Sequence, residues 1–306
     1  LYKYIYKAEF AGGILMKSAA LIETTHFSGR LTIMHAGSLT GMCKAVHNEF
    51  KLLNPDTEIT DVSGGGVMLV RELNKGKQAD IYLSVDYADI PKLMIPELAN
   101  WYVIFAATGF VLRYTDQSKY AGEVNAANWL DIIQREDVSF WRSDPENDPA
   151  GYRSLMVFQL AEKYYKIPGL AKKLAEKSGK QFLSANIISE RDKGYSFSYS
   201  SWTMGGKVIH LPDEINLSNE KFSDYYRQVS VTIPGLKPGT SVTMQGEPIR
   251  LGLTIPKTCI NRPAALAWAR LLLSTKGNAL MEKAGKRPLK PVFGGDLSKV
   301  PYELTE

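Results

Sequence analysis

The sequence is poor in the residues that carry chemistry by themselves. Cysteine occurs twice in 306 residues, at Cys43 and Cys259, and that separation matches no zinc or redox spacing. Cys43 falls within a stretch of helical periodicity and reads as a buried structural residue. The four histidines, His26, His35, His47 and His210, show no ligand spacing either, and each reads as structural. No G-x-S-x-G turn and no Cys/His pairing is present, so the familiar machinery of covalent catalysis has no visible representative. No run of about 18 uncharged apolar residues occurs, and no segment reads as a membrane-spanning helix. Internal repeats and low-complexity tracts are missing. The first 29 residues lack a clean secretory signal: Lys3 and Lys7 precede a short apolar stretch, Phe10 to Leu15, which Lys17 interrupts. They read as a degraded leader, a non-native remnant or an extra surface element.

What is present is ordinary in bulk. Hydrophobic residues make up 44% and charged residues 23% of the chain, as in a globular protein. A length of 306 residues exceeds the usual size of a single core, which favours two lobes. The net charge of +5 comes from scattered basic residues. Short clusters such as Lys172-Lys173 fall on helical surfaces and read as solvated faces, so no nucleic-acid partner is expected. A modest positive balance does favour a small anion.

The most informative stretch is His35-Ala36-Gly37-Ser38-Leu39. It follows the apolar run Leu31 to Met34 and opens a segment in which Leu39, Met42, Val46, Phe50 and Leu53 recur at steps of three and four, the period of a one-faced helix. Ser38 stands at the N-cap position. A strand, a glycine turn and a helix start form a small anion site, because unpaired N–H groups and the positive end of the helix dipole meet there. The same arrangement recurs at Thr57 to Val62, the turn Ser63-Gly64-Gly65-Gly66, and a helix ending near Gly76. Two such turns on neighbouring parallel strands would aim two helix starts at one crevice. The plainer readings are a cap at Ser38 and a flexible glycine loop at 63–66.

Further along, 79–84 reads as a strand, Pro91 and Pro96 bracket a short helix, and Trp101 to Phe105 and Gly109 to Tyr114 read as extended runs. Strands alternating with helices argue for an α/β lobe with a mainly parallel sheet. Helices are expected at 128–134, from Gly151 or Tyr152 to Tyr165, and at 168–180. Strands are expected at 138–141 and from Tyr195 to Ser200. Asp148 precedes one helix start, where its carboxylate caps the helix or answers its dipole. Residues 211–249, with Pro212, Pro234, Pro238 and Pro248, read as loop around a helix at 219–227. A strand at 250–255 returns to the first lobe, and helices follow at 263–274 and 276–284.

Several stretches together resemble the archaeal-type tungstate/molybdate-binding proteins, the solute receptors of an ABC importer. They are HAGSL (35–39), ADIYLSVDYADIPKLMIP (79–96), WYVIFA (101–106), YTDQSKYAGEVNAANW (114–129), DPAGYRSLMVFQLAEKYY (148–165), LPDEINLSNEKFSDYY (211–226) and GEPIRLGLTIPK (246–257). The resemblance covers about residues 31–292 in order, and DPxGYR together with HAGSL is specific to the family.

The resemblance implies a two-lobe type II periplasmic-binding-protein fold of the α/β class, with mainly parallel central sheets and two crossover strands, here 109–114 and 250–255. Residues 30–110 and 251–306 would form lobe 1, residues 111–250 lobe 2, and 1–29 an N-terminal extension. It also implies an oxyanion held in the cleft, with Ser38 donating to an oxyanion oxygen and Asp148 completing the coordination of the tungsten or molybdenum. Tyr199 of the Phe-x-Tyr-x-Ser strand would line the site, with Ser201 in the following serine position. The chain departs from the family twice. The serine of its second turn is Gly66, whose backbone N–H is left to donate, with Ser63 as a possible substitute. The glutamate expected on the helix before the Phe-x-Tyr strand falls, counting back from Tyr199, on Gln181, with Glu190 as the alternative.

These residue types suit the ligand. A tetrahedral dianion needs fixed N–H and O–H donors in a desolvated cleft more than bulk positive charge. The expected function is therefore an extracytoplasmic receptor, periplasmic or tethered to the outer face of the membrane. It would work as a monomer that closes on tungstate or molybdate and delivers it to an ABC permease. No cofactor and no catalytic residue is expected. The alternatives are a receptor whose altered site takes another oxyanion or a small organic acid, a ligand-free interaction module, and an enzyme on the same scaffold.

Overall fold

The run Ile81 to Val85 is buried at every position, and a strand with no polar face must be covered on both sides. The larger of the two main sheets is built around it. The computed structural model describes residues 3–11, 14–22, 26–181, 193–201 and 205–305, with 3–11, 14–22 and 179–181 described by backbone alone.

An antiparallel pair, β1 (Lys3–Ala11) and β2 (Ile14–Ile22), has Lys3 opposite Ile22. Then follow β3 (Gly29–Ala36), a tight turn Gly37–Leu39, α1 (Thr40–Leu53), β4 (Thr57–Gly64), α2 (Gly66–Asn74), β5 (Ile81–Val85), a helical turn Ile90–Met94 and β6 (Trp101–Ala107). The chain crosses to a second sheet with β7 (Phe110–Tyr114), α3 (Trp129–Gln134), β8 (Phe140–Ser143), α4 (Pro149–Tyr165), α5 (Leu170–Lys177), β9 (Gly179–Gln181), β10 (Tyr195–Tyr199) and β11 (Lys207–His210). After α6 (Ser223–Tyr226) and a hairpin of β12 (Ser230–Pro234) and β13 (Ser241–Gln245), it returns with β14 (Arg250–Thr254), α7 (Arg262–Leu273), α8 (Thr275–Lys283) and β15 (Arg287–Gly295).

The first sheet has the order β15-β6-β14-β5-β3-β4 and the second β11-β7-β10-β8-β9. The expected parallel pairing holds for β5, β3 and β4 and for β10, β8 and β9. The remaining pairs in both sheets are antiparallel, so the sheets are mixed. The strands expected to cross between the lobes each belong to one sheet, β7 to the second and β14 to the first. The crossing itself is made by Thr108-Gly109 and by residues 246–249, and these two connectors are tied together where Thr108 N donates to Ile249 O at 3.2 Å.

Local chemistry accounts for most elements. Leu39, Met42, Val46 and Phe50 bury one face of α1, while Leu53, expected on that face, is exposed in the last turn. Cys43 is buried. Asn261 and Ser274 cap α7 and α8 through their side chains, and Trp268 of α7 packs fully buried beside His47. The hairpin β12–β13 and the edge strand β15 lie in stretches rich in proline. Pro288 and Pro291 are tolerated in β15 because an edge strand has a side with no ladder to maintain, and its register shifts between Pro288 and Val292.

Asp80 joins the start of β5 to the return of the chain. Its Oδ2 accepts from Thr32 N at 2.7 Å, and its Oδ1 accepts from Ile260 N and Asn261 N, each at 2.8 Å. Asp80→Ala would leave these donors unpaired beneath the sheet and is expected to cost about 3 kcal/mol. Urea unfolding measures this, and a loss below about 1 kcal/mol would show that water replaces the carboxylate.

Candidate functional site

The parallel strands set the geometry. In the β3–β4 ladder His35 lies opposite Ser63 and Ala36 opposite Gly64, so the turns at 37–38 and 65–66 leave the same sheet edge side by side. On the other flank His35 pairs with Leu83, which brings Ser84, Val85 and Asp86 to that edge. This is the end of an α/β sheet at which ligands bind.

Ser38 does not cap a helix. It sits inside the turn Gly37–Leu39, and neither that turn nor α1 is capped by a side chain. Its Oγ is buried and has no hydrogen-bond partner. A buried hydroxyl without a partner costs free energy, and a cap would have used it. Its carbonyl accepts from Lys286 Nζ at 3.0 Å.

Gly66 opens α2 in a space with no room for a side chain. A Cβ there would fall 2.5 Å from Asp89 Oδ2 and 2.6 Å from Ser84 Oγ, so the serine that the family resemblance leads one to expect would require these two side chains to move. Ser63, the alternative donor, is exposed at the end of β4. The start of α2 instead meets the second lobe directly: Met68 N donates to Asn147 O at 3.0 Å.

Asp148 caps α4, its Oδ1 accepting from Ala150 N at 3.0 Å. Burial raises the carboxyl's pKa, partly offset by that backbone bond and a bond from Ser143. Tyr199, buried at the end of β10, donates to Val85 O across the cleft and packs edge-on against Phe110 at 5.0 Å. Ser201 follows it and accepts from Lys286 Nζ at 2.6 Å. Gln181 lies on strand β9 opposite Ser143 rather than on a helix. Its side chain, like Glu190, lies outside the described residues.

Sequence reasoning missed the groups that hold these pieces together. Arg153 is fully buried and pairs with Asp86, its Nε 2.6 Å from Oδ2. It also donates to Gln245 O at 3.0 Å and Glu247 O at 3.3 Å. Tyr152 OH reaches both Asp86 Oδ2 and Asp89 Oδ1 at 3.1 Å, and Ser84 Oγ donates to Asp89 Oδ2 at 2.7 Å. Tyr82 OH donates to Gly66 O at 3.1 Å. Tyr152 and Arg153 belong to the DPxGYR stretch and Asp86 and Asp89 to the VDYAD stretch, but no spacing relates the two. Burial, then the neighbouring Asp86 charge, push the Asp89 carboxyl up to about 8 against bonds from Ser84 and Tyr152. It therefore keeps its proton at neutral pH and adds no negative charge to the cleft.

His35 and His47 both face Asp61, at 3.6 and 3.2 Å, which makes them the structural histidines the sequence suggested. Burial works to raise the Asp61 pKa, but the two imidazoles outweigh it and hold the carboxyl well below its ordinary range. Among the described residues no His/Cys/Asp/Glu group is arranged to hold a metal ion. On the connector side a cavity of about 580 Å³ is lined by Thr108, Gly109, Ser200, Gly285 and Arg287 among others. It adjoins Ser201 and Lys286 in sequence but is not lined by Ser38, Gly66, Asp148 or Tyr199.

The family model of bacterial extracellular solute-binding proteins matches residues 31–287. The chain belongs to that family. An uncharacterized solute-binding protein of Petrotoga mobilis is 34% identical to it over 99% of this chain and 97% of the relative. The molybdate/tungstate-binding protein WtpA of Pyrococcus abyssi is 35% identical over 92% of this chain and 90% of its own length. Among solved structures, the periplasmic molybdate-binding protein of Azotobacter vinelandii superposes with a TM-score of 0.58 at 15% identity, covering 84% of this chain and 98% of that one. The likeness extends to the two-lobe fold of periplasmic binding proteins.

The protonation of Asp89 in this solute-binding protein has a measurable consequence. Between pH about 4 and about 8 the native state holds a proton that the unfolded chain has released, so this group's contribution to stability falls as pH rises, by at most about 1.4 kcal/mol per unit. Urea unfolding at pH 5, 6, 7 and 8 should show the stability difference between wild type and Asp89→Asn declining with pH. A difference that stays flat would mean that Asp89 is ionised throughout.

Proposed function

We propose that this solute-binding protein captures tungstate or molybdate between its lobes and delivers it to the permease of an ABC transporter. The observation that carries the reading is the buried, unpartnered Ser38 hydroxyl at the sheet edge where the two glycine turns meet. An oxyanion oxygen is the acceptor it lacks. The start of α2, where the Met68 N–H is already bonded to Asn147 O, adds a positive dipole end, and the Gly66 N–H can donate where its side chain cannot. The 35% identity to a relative named for binding molybdate and tungstate supports the choice of anion.

In this reading Ser38, Ser201 and the Gly66 backbone address the oxyanion oxygens and Tyr199 walls the site. The Asp148 carboxylate approaches the central metal of the cargo, because a carboxylate facing an anion is favourable only if it bonds to that atom. The second glutamate of the family has no counterpart in the cleft if Gln181 occupies its place, and a neutral amide oxygen is a poorer metal ligand. We therefore infer weaker or four-coordinate binding. The protein is a receptor and no catalyst, works as a monomer, and resides outside the cytoplasmic membrane, in the periplasm or tethered to the outer face. The crowding at Gly66 favours one second reading, a receptor for another oxyanion or a small organic acid.

Calorimetric titration of the ligand-stripped protein with sodium tungstate, molybdate, sulfate and phosphate tests this. Submicromolar binding of tungstate or molybdate is expected, with sulfate and phosphate silent. Ser38→Ala should weaken it by about 10- to 100-fold, the loss of one hydrogen bond to a charged acceptor. Heat from sulfate or phosphate alone would favour the second reading. Silence with all four would sink the tungstate/molybdate reading and move the function to a small organic acid, another ligand or none.

A further inference from the structure

Lys286 lies between α8 and β15 and is 5% exposed. Its ammonium reaches one group from each lobe: Ser38 O at 3.0 Å and Ser201 Oγ at 2.6 Å, with Ser201 O more distant at 3.5 Å. No carboxylate among the described residues forms an ion pair with it. A buried cation without a counter-charge is costly, and this one touches the same residue whose hydroxyl is buried without a partner. Two unmet demands, for a negative charge and for a hydrogen-bond acceptor, converge on one place.

We infer that Lys286 is the counter-cation of the bound oxyanion, joining the Ser38 turn of one lobe to the Ser201 turn of the other. The inference rests on the oxyanion reading above and adds the group that sets the charge of the site. By donating to Ser201 Oγ, the ammonium also occupies that oxygen's acceptor side and leaves its hydrogen to be donated, either to Thr108 Oγ1, 3.3 Å away, or to the anion. Lys286 thus contributes charge itself and positions a donor. An anion with two charges gains most from it.

Burial pushes the ammonium's pKa down to about 8. Cys43 on α1 is the one other titratable group felt there among the described residues. Burial, and then the Asp61 charge, raise its thiol pKa far above the ordinary range, so it stays neutral. Below pH about 8 Lys286 is charged in the empty protein. Above it the proton is lost, and binding an anion must recover it. Affinity for a dianion should therefore fall as pH rises through about 8, by up to roughly tenfold per unit.

The test is tungstate titration from pH 7 to 10 on wild type, Lys286→Met and Lys286→Arg. Wild type should weaken above pH 8. Lys286→Met should bind about 10- to 100-fold more weakly at pH 7 and decline less steeply, keeping only the loss that ionisation of Asp89, also near pH 8, imposes on every variant. Lys286→Arg should show the same shallow decline, so the steeper fall of wild type is the part that belongs to Lys286. Without anion, Lys286→Met should melt no lower than wild type, because it removes an uncompensated charge, whereas a structural lysine would leave the variant less stable. If wild type binds tungstate and Lys286→Met matches it within twofold at every pH, the inference fails and the receptor reading stands. If wild type binds none of the four anions, both fail. Should Lys286→Met not fold, a wild-type profile no steeper than that of Lys286→Arg from pH 7 to 10 overturns the inference and a steeper one supports it.

Discussion

Arg153 is a full charge without access to water, and the arrangement of the cleft depends on how that charge is answered. Burial works against the guanidinium, and the Asp86 charge, Tyr152, Glu247 and the bond to Asp86 together outweigh it and keep the group protonated. An isolated buried charge would cost several kcal/mol, so every group that reaches Arg153 is constrained in position. Those groups come from separate parts of the chain: the end of β5, the start of the connector after β13, and α4 itself. The ion pair thus sets the distance between the two lobes more firmly than any apolar contact could, because apolar contacts are tolerant of direction and charge-assisted hydrogen bonds are not.

With Arg153 committed to Asp86, the remaining charges at the cleft are few and arranged for an anion. Asp89 is held neutral by its surroundings, and Asp148 spends one oxygen on the start of α4. Glu247 lies beside the same guanidinium, and the groups left for an anion are the start of α2, the Ser38 hydroxyl and, as we infer, the buried Lys286 ammonium. A site of this kind attracts a small anion by fixed dipoles and local charge, and needs no large basic surface. The scattered surface lysines are consistent with that division of labour.

The parts of this molecule that a sequence can announce are those written in short-range pattern. The glycine turns at Gly37 and Gly65-Gly66, the periodic face of α1 and the proline-marked start of α4 all combine a local period with a local stop signal, and each element formed within a few residues of its expected bounds. The hairpin β12–β13 and the strand β15 were hidden because prolines mark them as loop, and only their edge or paired position makes those prolines harmless. The pairing of Asp86 with Arg153, 67 residues apart, and of Ser38 with Lys286, 248 apart, has no local signature. Ser38 could be singled out from its turn as a candidate anion donor, but the burial that leaves its hydroxyl unpartnered comes from tertiary packing.

The bond from Thr108 to Ile249 bears on how the lobes move. Two extended segments joined by a rung behave as a ribbon, soft to bending across its face and stiff to shear along its length, since sliding would break the rung. Bending at this ribbon is the hinge-like change the connectors allow, and it would have to break the Arg153–Asp86 pair or carry it along.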